Sequence, residues 1–292
     1  MTAPLNRLTL AALLVACSLP ALAAAPAHKP GTVFRDCAKT CPEMVVLPAG
    51  SFMMGTPNDE KGRQDDEGPL HQVTFKKAFA VSQYQITNGE WKAYLKASGY
   101  KVPNGDTRPG RECIAGVPRY QQGDRQPAVC LNFHEAEAYA AWLSKKTGKV
   151  YKVLSESQRE YAVRGGSTGP FPFPLDDNDE QKYQISKHAN TYGPTDGFSF
   201  TSPVGSFPPN AYGVYDGHGN VYEWTRDCYV DSYATAPTDG SPQTNSSECE
   251  DRRVIRGNDY TEAPIFSRSG NRNERSSTLR GDWIGFRVAR EL

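Results

Sequence analysis

The sequence predicts an α+β domain with little regular secondary structure. Three observations carry this. There are 26 glycines and 22 prolines among 292 residues, scattered along the chain, which argues for a loop-rich globular fold over disorder. Helix signals are few and early, all three of them before Gly166. Strand signals are short and recur from Met44 to the C-terminal end.

The elements follow in order. Residues 1–23 read as an export signal. Arg7 supplies the positive charge, and Leu8 to Leu22 is apolar apart from Thr9, Cys17, Ser18 and Pro20. Ala21, Leu22 and Ala23 form an A-x-A cleavage site. Leu14 to Cys17 offers a lipoprotein site as the alternative. The stretch is too short and too interrupted to span a membrane, so no integral span is expected. Residues 24–292 are expected to form one domain, with the periplasm as its compartment. Thirty-three basic and thirty-three acidic residues give a formal net charge of zero. With no basic stripe, nucleic acid is not an expected partner.

Met44 to Leu47 and Ser51 to Met54 flank Pro48, Ala49 and Gly50 and read as a hairpin. Asn58 to Gly68 is polar and acidic, a surface loop. Val73 to Phe75 and Phe79 to Tyr84 read as strands. Thr87 with Glu90 forms a capping box, opening a helix with Trp91, Tyr94 and Leu95 on one face. Asn132 with Glu135 opens a second, burying Tyr139, Trp142 and Leu143. Ser155 with Gln158 opens a third, stopped by Gly165 and Gly166. Tyr100 to Pro127 and Gly169 to Glu180 read as loops. Beyond them only Val254 to Arg256 and Gly285 to Ala289 read as strands.

Seven cysteines are present, of which Cys17 lies in the export signal. The remaining six, an even number in an exported chain, argue for disulfides. Six cysteines allow fifteen connectivities. Pairing of near neighbours gives Cys37–Cys41, Cys113–Cys130 and Cys228–Cys249. No C-x-x-C is present, which speaks against thiol redox or zinc chemistry.

One stretch organises the rest. Asp216 to Trp224 places two carboxylates, two glycines, an amide and two aromatics in nine positions. It reads as a tight loop whose carbonyls and carboxylates converge, the oxygen-only set that calcium favours. An ordinary turn capped by Asp and Asn would use the same residues. His218, inside the loop, reads as a surface residue, because hard cations avoid imidazole.

The motifs then add up in a fixed order. Met44 to Val46 and Phe52 to Gly55 come first, then Ile86 to Asn88 and Glu156 to Gly166. Pro209 to Asp216 and Gly219 to Trp224 follow, then Arg256–Gly257 and Ile284 to Val288. Over nearly the whole mature chain this resembles the formylglycine-generating enzyme family. The resemblance implies a C-type-lectin-like fold with calcium-stabilised loops. It places one calcium on Asp216, Glu223 and the carbonyls of Gly219 and Val221. It places another on Asn190, Asp196 and the carbonyls of Thr191 and Phe198.

The chain departs from the family where sulfatase-activating members carry two copper-binding cysteines. Those positions fall at Glu262 and Ser267 here, and no cysteine lies beyond Cys249. Soft copper(I) would have no thiolate pair, so no copper is expected. The resemblance therefore points to the exported branch that matures the siderophore pyoverdine in fluorescent pseudomonads. It implies an oxidoreductase that turns the dihydropyoverdine chromophore into the aromatic dihydroxyquinoline, with oxygen as electron acceptor. Glu262 is the candidate base: a partly desolvated carboxylate beside aromatics would hold a raised pKa. Asp259 and Tyr260 could bind phenolic hydroxyls, Trp283 could line the pocket, and Ser267 could donate a hydrogen bond. Arg268 and Arg272 could hold acidic substrate groups or brace loops, with bracing expected for one of them. The partners implied are a peptidic siderophore precursor and other periplasmic maturation enzymes. The competing class is a calcium-stabilised, lectin-like binding protein without catalysis.

Overall fold

The computed structural model describes residue 1 and residues 28–107, 112–175 and 184–292. The export signal and part of the 169–180 loop lie outside the described residues.

The three helices form where their caps predict. They are α1 (Asn88–Ser98), α2 (Phe133–Thr147) and α3 (Glu156–Arg164). Each opens on a reciprocal capping box, at Thr87 with Glu90, Asn132 with Glu135 and Ser155 with Gln158. Each ends at a left-handed glycine, Gly99, Gly148 or Gly165. Trp91 and Tyr94 are buried as expected, and so are Tyr139 and Leu143, but Trp142 stays half-exposed.

Five strands form one sheet: β1 (Val33–Phe34), β2 (Met44–Leu47), β5 (Phe79–Ser82), β8 (Tyr151–Val153) and β13 (Val288–Glu291). Their order is β1-β2-β5-β13-β8, all antiparallel. Met44 to Leu47 is buried on both faces, so it reads as a continuous apolar run. The expected hairpin at Pro48–Gly50 does not form. β3 (Gly50–Met54) leaves the first sheet and pairs with β4 (His71–Phe75), while β2 is flanked by β1 and β5. A strand already paired on both edges has no edge left for the next one. β6 (Cys113–Ile114) and β7 (Val117–Pro118) are a two-residue pairing inside the expected 100–127 loop.

A second sheet carries the site. Its strands are β9 (Tyr222–Cys228), β10 (Arg253–Arg256), β11 (Arg272–Arg275) and β12 (Ile284–Phe286), in the order β11-β10-β9-β12. β12 runs parallel to β9, which sets Phe286 opposite Trp224. Tyr222 to Trp224, expected as part of a loop, is thus the start of a central strand. The sequence signal was hidden because β9 alternates Glu223, Thr225 and Asp227 with its aromatics, and all three polar residues are buried. Arg287 alone separates β12 from β13, so that one residue joins the two sheets. From Gly165 on, the described elements are strands and single 3₁₀ turns, apart from two helical residues at 184–185. All six cysteines from Cys37 onward are bonded, as Cys37–Cys41, Cys113–Cys130 and Cys228–Cys249.

The packing has an apolar and an ionic half. Trp91, Tyr139, Trp224, Ile284 and Phe286 fill the space between α1, α2 and the second sheet. α3 instead turns Glu156, Arg159, Glu160 and Arg164 inward, all within 4 % of full burial. Spacing of three and four residues places them on one helical face. Arg256 on β10 bridges Glu156 and Glu160, and Arg272 on β11 also reaches Glu156. Buried charges persist only when paired and hydrogen-bonded, so this network fixes how α3 sits on the sheet.

Candidate functional site

The stretch after β10 is built by local hydrogen bonds. Gly257 has φ +106, a backbone that side chains rarely adopt, and an added Cβ would lie 2.2 Å from Arg159 Nη2. Asn258 follows in the left-handed region. Its amide donates to the carbonyl of Ala263 at 3.1 Å and to Ser267 Oγ at 2.8 Å. Asp259 Oδ1 accepts the N–H of Thr261 at 2.6 Å and its hydroxyl at 2.7 Å. These bonds turn the chain so that Glu262 stands half-buried at the tip.

Around that tip lies a set of buried aromatics. Burial above all, with the charges of Glu262 and Asp259 adding to it, pushes the Tyr222 phenol well above its usual range. Its hydroxyl accepts only a long 3.4 Å bond from Asn273. Tyr222 meets Trp283 edge-on at 5.8 Å, and the Arg275 guanidinium covers Trp283 at 5.3 Å. Tyr260 donates to Asp282 Oδ2 at 3.2 Å, and Arg119 approaches the same carboxylate at 3.4 Å. Glu262, Asp259, Tyr260 and Trp283 are therefore brought together. Tyr222, Asn273 and Arg275 join them unforeseen, because strand pairing across β9, β10 and β11 brings them in. A cavity of about 350 Å³ is lined by Phe171, Phe173, Leu175 and Arg268 together with Ile265, which lies in the turn that follows Glu262.

Ser267 and both arginines are turned inward, where bracing was expected of only one arginine. Arg268 is 1 % exposed and clamps Glu67 through Nη1 at 2.8 Å and Nη2 at 2.7 Å, with Glu60 at 2.8 Å. Glu67, in the segment expected as a surface loop, is fully buried by that clamp. Arg272 is spent on Glu156 and on the carbonyls of Asp66 and Val230. Both arginines brace loops, because a buried guanidinium must satisfy its donors internally. Ser267 is fully buried, with its hydroxyl on Asn258 and its carbonyl on His218 Nδ1 at 2.6 Å. His218 itself is 5 % exposed, against the expectation of a surface residue. Burial lowers its pKa to about 4, so the ring is neutral and serves as a donor to that carbonyl.

The two expected calcium sets differ. In the first, Asp196 accepts the N–H groups of Thr191 at 2.8 Å and Phe198 at 2.9 Å, which curls the loop around its carboxylate. Burial raises the Asp196 pKa, and the buried Asn190 Oδ1 has no hydrogen-bond partner. An orphaned oxygen beside a carboxylate with neutral oxygen neighbours fits a calcium ion. This loop also touches the Glu262 turn, since the Tyr192 N–H donates to the Glu262 carbonyl at 3.0 Å. In the second set, the carbonyls of Asp216, Gly219 and Val221 surround the amide nitrogen of Gln85 together with Glu223. Arg159 and Arg287 hold Glu223 from both sides. Asp216 Oδ1 is left without a partner here too, but the Gln85 nitrogen stands among the other oxygens, so the set does not fit a calcium ion in the way its sequence suggested.

A family model described as the sulfatase-modifying factor enzyme 1-like domain matches residues 29–292. The chain belongs to that family. Sulfatase-modifying factor enzyme 1-like relatives include both active and inactive members at similar distance. The inactive Cα-formylglycine-generating enzyme 2 of Bos taurus is 28 % identical over 84 % of this chain and 87 % of its own. The formylglycine-generating enzyme of Mus musculus is 27 % identical over 85 % of this chain and 74 % of its own. Among solved structures, PvdO from Pseudomonas aeruginosa is 68 % identical, with a TM-score of 0.87, over 91 % of this chain and all of its own. The fold of the sulfatase-modifying factor enzyme 1-like family is therefore the fold of this chain, α+β with few helices and several small sheets.

Proposed function

We propose that this chain is an exported oxidoreductase of pyoverdine maturation, oxidising the dihydropyoverdine chromophore to the aromatic dihydroxyquinoline in the periplasm. Similarity to PvdO over all of that chain supports placing it in this branch. The observation that carries the chemistry is the position of Glu262, half-buried at a braced turn whose charge reaches the buried Tyr222. The substrate is a peptidic siderophore precursor. Glu262 takes one proton from the dihydro ring, which aromatises as two electrons and a second proton leave. Molecular oxygen accepts the two electrons and both protons, the one held by Glu262 included, and departs as hydrogen peroxide, so the base is regenerated and atoms and electrons balance. Trp283 and Tyr222, packed edge to face, would back the ring from beneath the turn, and Tyr260 and Asp259 would shape its edge. Calcium held by Asn190, Thr191, Asp196 and Phe198 would keep the Glu262 turn in place through the Tyr192 contact. Other periplasmic maturation enzymes would supply the precursor.

The test is turnover of the purified dihydro precursor under air and under nitrogen. Glu262→Gln keeps the shape and removes the base, with an expected loss of ~10²–10⁴-fold. Glu262→Asp should recover part of the rate. Equal turnover by native and Gln proteins would refute Glu262 as the base. Binding of the precursor with no turnover by the native protein would establish the lectin-like binding reading instead.

A further inference from the structure

In the Asp216–Glu223 loop four oxygens converge on one atom, and that atom is a nitrogen. Gln85 Nε2 lies 3.3 Å from the carbonyl of Asp216, 3.4 Å from that of Gly219 and 3.2 Å from that of Val221. It lies 3.0 Å from Glu223 Oε1. The neighbours fix which way the amide points. The Ser202 N–H donates to Asn220 Oδ1 at 2.8 Å, and a backbone N–H can only donate. Asn220 Nδ2 is therefore the atom facing Gln85, where it donates to Oε1 at 3.1 Å. Flipping Gln85 would set donor against donor at Asn220 and an acceptor against four acceptors.

Charge points the same way. The Glu223 side chain is 1 % exposed. Arg159 Nε donates to its Oε2 at 3.1 Å and Arg287 Nε to its Oε1 at 2.9 Å. Arg159 also holds the Gly217 carbonyl at 2.6 Å, and Arg287 holds the carbonyls of Ser82, Gln83 and Tyr215. Two guanidiniums thus hold the Glu223 carboxylate, while Asp216 accepts the Gly205 N–H at 2.8 Å through Oδ2 and leaves Oδ1 without a hydrogen-bond partner; over the two arginines and the two carboxylates the formal charges cancel. A dication added to this charge-balanced set would leave two uncompensated positive charges in the interior.

We propose that Gln85 and Arg159 close the Asp216–Glu223 loop in place of a calcium ion, confining structural calcium to the loop of Asn190, Thr191, Asp196 and Phe198. Calcium gathers carbonyl oxygens at a turn. Here an amide N–H₂ gathers three of them, and a guanidinium neutralises the carboxylate. The inference stands apart from whether Glu262 is catalytic.

The experiment is metal analysis of the full chain after equilibration in excess calcium and gel filtration. At most one calcium per chain is expected, and none in Asp196→Ala. Two calcium ions in the native protein would overturn the proposal, as would one retained by Asp196→Ala. A native protein with no calcium would support the substitution while removing the calcium reading of the Asn190 loop, so the two claims fail separately. If Asp196→Ala does not fold, Asp196→Asn is read by calcium titration. Its affinity should fall at least ~10-fold, because ligand charge sets calcium affinity. Unchanged affinity would place the ion elsewhere and overturn the proposal.

Discussion

Replacing Arg256 by Met tests the ionic half of the core. Arg256 has no exposed surface. Nη1 lies 2.5 Å from Glu156 Oε1 and 2.9 Å from the Tyr233 hydroxyl, and Nη2 lies 2.6 Å from both Glu160 Oε2 and the Ser269 carbonyl. Met fills much of the same volume but leaves Glu156 to Arg272 and Glu160 to Arg164. Breaking one partner of a buried pair costs about 3–5 kcal/mol. At about 2–4 °C per kcal/mol for a domain of this size, Tm should fall by roughly 6–20 °C. The pH dependence is specific. Burial pushes the Glu156 carboxyl up, but Arg272 and Arg256 outweigh it and hold it at about 2. A depressed carboxyl stabilises the fold above its unfolded value of 4.5 and loses that stability as pH falls toward 2. Without Arg256 the folded value rises, so protonation relieves part of the strain. The gap between native and variant should therefore narrow as pH drops from 7 to 4. Urea unfolding at both pH values measures it. A difference below ~1 kcal/mol at pH 7, or a gap that widens on acidification, would refute the reasoning.

Three further outcomes are expected. Thiol titration of denatured, unreduced protein lacking the export signal should find no free thiol, since all six cysteines are paired; two or more would break the assignment. Gly257→Ala should lower stability by more than ~1 kcal/mol, because its φ of +106 is strained for alanine and the new Cβ would meet Arg159; a neutral effect in thermal unfolding would contradict the geometry. Chelation by EDTA should lower Tm and speed amide exchange at Tyr192, whose N–H ties the Asn190 loop to Glu262; an unchanged melting curve would remove calcium from the Asn190 loop.

Much of the chain was legible because the responsible interactions are local. A capping box spans three residues, so Thr87, Asn132 and Ser155 announced their helices, and Gly99, Gly148 and Gly165 their ends. The Cys37–Cys41 and Cys228–Cys249 pairs were near neighbours in the chain, 4 and 21 residues apart. The order of short motifs pointed to the family, whose model matches residues 29–292. What tertiary structure decided were pairings of distant charges. Arg268 meets Glu67 across 201 residues, and Gln85 meets Glu223 across 138. Nothing in the local pattern of Arg268, Arg272 or His218 separates a side chain that serves solvent or substrate from one that braces a loop. That distinction depends on which partner folding brings within hydrogen-bond reach, and on the burial that makes leaving the charge unpaired costly.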